Sequence, residues 1–360
     1  MRTLDFGSVR RWHRHTDTHP SLVLSRVALA ALAVGFGVAG AAGVTVPLRA
    51  QMVVYLVGMV ALNLPHGGYE HFENLRRRRP TFRWRYVAGY LGVIGGFVGL
   101  FLVAPVAGLA LALAVAMAKG GMGDLHVMDA TTGTDHLRSR LQRALAVAVR
   151  GGAVMLVPIV FWPETFHAFS ALMVGLVDPG GLAPYAAHFD VTRPLVAGGY
   201  GLALVAHVGL GYRRGGGRSW LVDAGESLLL AAFFACVPVL VAVGLYFPFW
   251  YSARQVARTQ TVGGFDGGDG DGDENEEWDL LGGETASTVA LRAWLVLIAG
   301  ALATFSVLAV VYWAVPNPLA GASLLPGAVA FWSVFISIVA LPHVVVGSVL
   351  DRERGIWYVP

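Results

Sequence analysis

Long apolar runs separated by short polar, arginine-marked stretches occupy almost the whole of this 360-residue chain. The runs cover about residues 22–46, 52–64, 86–104, 105–118, 144–162, 195–212, 220–251, 290–315 and 324–350. Runs of this length and apolarity predict membrane-crossing helices. The fold class expected is therefore all-α: a polytopic integral membrane helix bundle with about nine spans, within a range of 8–10. Pro105 separates the third run from the fourth, and Pro238 lies inside the seventh. The fourth run ends in Lys119-Gly120-Gly121-Met122-Gly123-Asp124-Leu125-His126, whose glycines predict a tight, irregular turn. Residues 163–190 contain aromatics and prolines but no Lys or Arg, and are expected to lie along the outer interface.

Composition agrees with this pattern. Hydrophobic residues make up 56% and charged residues 14%, against roughly 25% charged in soluble domains. Residues 1–20 read as a polar basic tail suited to anionic headgroups, and 21–360 as one membrane domain. The run from Leu22 is too long for a signal core, which makes it a retained span. An acidic Gly/Asp/Glu-rich loop falls at 263–284. Asp269, Asp271 and Asp273 alternate there like calcium ligands, but the register lacks the glycine and glutamate of a calcium loop. Basic residues gather at span ends: six arginines within 76–85, then Arg138, Arg140 and Arg143, then Arg213, Arg214 and Arg218. These mark cytoplasmic loops, place the N-terminus in the cytoplasm of a multi-pass plasma-membrane protein, and leave nothing to suggest nucleic-acid binding. Cys236 is the single cysteine, so no intramolecular disulfide or cysteine-based metal site exists.

The stretch Asn63-Leu64-Pro65-His66-Gly67-Gly68-Tyr69-Glu70-His71 concentrates the candidate chemistry. If a helix continues past Pro65, His66 and Glu70 share a face one turn apart, where they can bind a metal or share a proton. The alternative is a pair of polar residues at the lipid boundary. His207, alone in an apolar helix, reads as a packed, hydrogen-bonded group. Leu341-Pro342-His343 echoes Leu64-Pro65-His66. Counting spans places Tyr251 on the outer side, opposite His66 and Lys119.

Four islands resemble the Brp/Blh family of prokaryotic membrane proteins. They are Leu64-Pro65-His66-Gly67, Gly121-Met122-Gly123-Asp124-Leu125, Glu226 through Trp250-Tyr251-Ser252-Ala253-Arg254-Gln255, and Leu341-Pro342-His343 through Asp351. The resemblance implies a β-carotene 15,15′-dioxygenase, a non-haem Fe2+ enzyme that splits β-carotene into two retinals for rhodopsin biogenesis. It also implies four histidine ligands. The first falls on His66; the other three positions carry Lys119, Tyr251 and Gln255. Tyr251 could ligate as a phenolate. Lys119 would first have to lose its proton, which costs roughly 4–5 kcal/mol at pH 7. Glu70, His71, Asp124 and His343 are the substitute or supporting candidates. If the family's ligand positions converge, the span count must be wrong somewhere or the positions must lie within helices near mid-membrane. Three functions follow: oxidative cleavage of β-carotene; binding or delivery of carotenoid or retinal by a catalytically degenerate relative; and a drifted transporter-like or structural membrane protein. The partners implied are the bilayer, β-carotene or retinal, and a rhodopsin apoprotein.

Overall fold

The computed structural model describes residues 19–62, 84–263 and 305–352. Secondary structure there is entirely helical, and five of the described helices are long and apolar enough to cross a membrane. Helix α1 (Pro20–Ala41) begins with Pro20 in its first turn, where a missing amide hydrogen costs nothing. Helix α2 (Leu48–Leu56) widens into a π-helical turn, Val57–Leu62. Helices α3 (Trp84–Val103) and α4 (Pro105–Ala130) break at Ala104–Pro105, as the sequence predicts. Then follow α5 (Arg140–Phe161), α6 (Pro163–Gly175), α7 (Ala183–Ala186), α8 (Phe189–Arg213) and α9 (Gly217–Cys236). Helix α10 (Val239–Tyr246) passes through a second π-helical segment, Phe247–Ser252, into α11 (Ala253–Gly263). Helices α12 (Phe305–Ala314) and α13 (Leu324–Arg352) close the chain. The five long apolar helices are α1, α4, α5, α8 and α9.

Two expectations are corrected. The glycine-rich stretch from Lys119 is not a turn: α4 runs straight through it to Ala130. The glycines serve close packing. A Cβ on Gly121 would collide with the carbonyl of Val147, and one on Gly151 with that of Met117. Bare glycines on both sides thus let α4 and α5 cross backbone to backbone, the small-residue contact that membrane helices favour. Gly121→Ala should therefore force the pair apart and cost about 1–3 kcal/mol. Gly225→Ala, whose Cβ would meet nothing within 4 Å, should be neutral or stabilising. Unfolding of the two variants in detergent checks the contrast.

The second correction concerns the seventh run. Val237 and Pro238 are extended, with ψ of 131° and 137°, and Pro238 has no amide hydrogen with which to continue a helix. The chain reverses there. Phe234 lies 5.4 Å from Tyr246 and Glu226 bonds Arg254, so α9 and the α10–α11 segment are antiparallel. One apolar run is therefore a hairpin of two segments.

The remaining packing fixes where these elements meet. Helices α1 and α9 run parallel, joined by Arg26–Glu226 at one end and by Gly37 against Cys236 at the other. Helices α2 and α10 cross at Gly244, where a Cβ would stand 2.7 Å from the Tyr55 Cα. One apolar core gathers residues of α1, α2, α5, α9, α10 and α13 around Phe233, Tyr246 and Trp250. A second lies between α3, α4 and α13. Helix α13 is tied to α2 by a 2.6 Å hydrogen bond between Ser333 and Tyr55. Within the segment at 163–190, α6 buries Ser170, Met173 and Val174 against the rest of the bundle.

Candidate functional centre

Inside the bundle, three carboxylates meet three guanidiniums. Asp124 of α4 accepts from Arg150 Nε at 2.8 Å, Arg254 Nε at 2.7 Å and Trp250 Nε1 at 3.1 Å. Glu226 of α9 accepts from both terminal nitrogens of Arg254 at 2.7 and 2.9 Å, from Arg150 Nη2 at 2.5 Å and from Arg26 Nε at 2.8 Å. Asp223, one turn earlier, accepts from Arg150 Nη1 at 2.7 Å. It also faces two imidazoles: His136 Nε2 at 2.8 Å and His207 Nε2 at 3.0 Å. Each ring donates its Nε2–H to the carboxylate. His207 is thus the packed, hydrogen-bonded group its sequence setting predicts.

Arg150 and Arg254 are fully buried. A buried ion costs several kcal/mol unless paired and hydrogen-bonded. Here three positive charges balance three negative ones, and planar guanidiniums distribute five donors each among the carboxylates. The network joins α1, α4, α5, α8, α9 and α11, with single hydrogen bonds that link residues up to 200 positions apart. It is the polar counterpart of the apolar core. Arg150, Asp223, His136 and Arg26 were not singled out from the sequence. The available signal was the presence of ionisable residues inside otherwise apolar spans, which must face the bundle interior.

The network holds up a second group of residues. Trp250 and Arg254 are clamped to Asp124, and the Arg254 guanidinium stacks 4.5 Å from the Trp250 ring. Their sequence neighbours Tyr251 and Gln255 consequently turn toward α4. Lys119 Nζ lies 5.4 Å from the Tyr251 ring centroid. Gln255 Nε2 donates to the Gly123 carbonyl at 3.4 Å. A Cβ on Gly123 would come within 2.8 Å of Tyr251 and 3.3 Å of Gln255, so only glycine lets these side chains approach. Lys119, Tyr251 and Gln255 therefore share one centre. This corrects the span count that set Tyr251 opposite Lys119; the physical reason is the reversal at Pro238.

Tyr251 belongs to the π-helical segment, and the other π-helical turn, Val57–Leu62, packs against that segment. Such segments recur at functional sites. Val57–Leu62 leads directly into the stretch from Asn63 to His71. His66, Glu70 and His71 lie outside the described residues, as does the acidic stretch from 264 onward. His343 falls on α13, and its side chain is likewise outside them. Asp124 accepts from Arg150, Arg254 and Trp250 and so braces the segment that carries Tyr251 and Gln255.

The described donors do not fit an iron ion. They are an amine, a phenol and an amide, with no imidazole among them, whereas iron favours imidazole ligands with open positions. Among the described residues, no group of three or more His, Cys, Asp or Glu is placed to hold a metal. A cavity of about 290 Å3 lies at the His136 end of the network, lined by polar residues including Thr132, Arg138, Arg218 and Ser219. That lining does not suit a hydrocarbon.

A helical membrane protein with a polar centre braced by buried ion pairs is the class that fold and site define. Residues 57–351 match the family model described as beta-carotene 15,15′-dioxygenase. The chain is 55% identical over 340 residues, 94% of each chain, to the "Probable beta-carotene 15,15′-dioxygenase Brp" of two strains of Halobacterium salinarum. It is 34% identical over 356 residues, 95% of each chain, to the "Probable beta-carotene 15,15′-dioxygenase Blh" of that organism. No solved structure matches. The chain belongs to the β-carotene 15,15′-dioxygenase family.

Proposed function

We propose that this chain acts on β-carotene as its relatives' names state of them, cleaving the central double bond with dioxygen to give two retinals. The observation that supports the reading is positional. Helices distant in sequence bring residues 119, 251 and 255, three positions that the resemblance assigns to the reaction centre, to one place. The comparisons favour this reading over a transporter-like or structural role. Iron is the cofactor the family implies, and oxygen activation is what it would supply. His66 is the proposed ligand position retained, with Glu70, His71 and His343 as candidates to complete the set. The proposal also places the chain in the plasma membrane with a cytoplasmic N-terminus. It takes β-carotene from the lipid, and its retinal serves a rhodopsin apoprotein.

A second reading has one specific observation behind it. Where the family pattern places histidines, this chain sets a lysine amine over an aromatic ring, a centre suited to holding pigment rather than metal. Expression in cells that make β-carotene, with iron supplied, separates the two. Cleavage predicts retinal in the extract and its loss in His66→Ala. Folded, well-expressed protein with β-carotene left intact would replace cleavage by pigment binding.

A further inference from the structure

Of the chain's 26 basic residues, 25 are arginine and one, Lys119, is lysine. It stands near the middle of the 26-residue helix α4, within the apolar part of the bundle, where an ionisable side chain is costly. Its Nζ lies over the Tyr251 ring. Wherever this bundle anchors a buried carboxylate with a fixed positive charge, the described residues use arginine. A guanidinium keeps its proton and supplies no free lone pair to a carbonyl. A lysine amine condenses with aldehydes.

We infer that Lys119 is a covalent docking site for a conjugated polyene aldehyde. The identity of that aldehyde rests on the function proposed above, since central cleavage of β-carotene delivers retinal at this centre. The chemistry balances without an oxidant or reductant. The Nζ lone pair attacks the aldehyde carbon to form a carbinolamine, water leaves, and C=N replaces C=O. Protonation of the imine restores a cation beside Tyr251, whose ring face favours positive charge. Hydrolysis releases the aldehyde. Exchange with a second amine passes it to another protein's lysine without freeing it into the lipid.

The test uses the full chain in detergent, mixed with all-trans-retinal in the dark and then reduced with borohydride. Lys119 and the N-terminal amine are the only primary amines, so peptide mapping has two places to look. The expected result is an absorbance band that shifts to the red on acidification before reduction and a retinyl group on the Lys119 peptide after it, both lost in Lys119→Arg. The absence of an adduct, an adduct confined to the N-terminal amine, or equal labelling of Lys119→Arg would overturn the inference. If Lys119→Arg fails to fold, the peptide map of the native chain decides alone. Because retinal is supplied, the outcome does not depend on cleavage. A Lys119 adduct with intact β-carotene removes only the cleavage reading, and retinal formation without an adduct removes only this one.

Discussion

Arg150→Leu should abolish most of the folded protein. The fully buried guanidinium donates to Asp124, Asp223 and Glu226 at 2.8, 2.7 and 2.5 Å. Removing it leaves the three carboxylates with two guanidiniums, those of Arg254 and Arg26, and leaves Asp223 with the His136 and His207 rings. Breaking a buried pair from one side costs about 3–5 kcal/mol, which is a large share of the 5–15 kcal/mol that a folded protein has. Arg150→Lys keeps the charge but not the planar fork, so it should recover little. The measurement is the yield of monodisperse protein in detergent together with its melting temperature. An Arg150→Leu protein that melts within 1 °C of the native chain would show that the network does not hold the bundle together.

The second large effect concerns metal. Tyr251 and Gln255 flank Gly123, and the Lys119 Nζ lies 5.4 Å from the Tyr251 ring centroid. Replacing all three by histidine should therefore bring three imidazoles to one point. That donor set favours iron, whereas an amine, a phenol and an amide do not. The substituted chain is expected to keep iron against a chelator at a concentration at least about tenfold above that which strips the native chain, a conservative figure given what even indirect ligand support is worth. Iron content after dialysis gives the answer. Equal retention by the two proteins would mean that the three positions do not form a metal centre even with the right side chains.

Much of the fold was legible because lipid imposes a simple rule: backbone groups must bond within the segment, so apolar runs become helices. The break at Pro105 followed from proline chemistry alone. Pro238 was visible too, yet its effect was not. A proline inside an apolar run can kink a helix or end it, and it is the extended backbone at Val237–Pro238 with the pairing of Glu226 and Arg254 that shows it ends this one. Gly120, Gly121 and Gly123 suggest a turn by local pattern because glycine serves both loops and close helix contacts. What distinguishes them is what each faces, the Val147 backbone for Gly121 and the Tyr251 and Gln255 side chains for Gly123, which no local pattern reveals. The convergence of Lys119, Tyr251 and Gln255 was legible only through the family resemblance. The ion network was hidden by distance along the chain, since its members are single residues on separate helices.

In the purified chain, reconstituted in lipid with iron, β-carotene and dioxygen, the loss of β-carotene and the gain of retinal should be measured together. Central cleavage predicts two retinals for each β-carotene consumed and no other aldehyde. β-Carotene that stays bound and intact, or products of unequal length, would contradict the account.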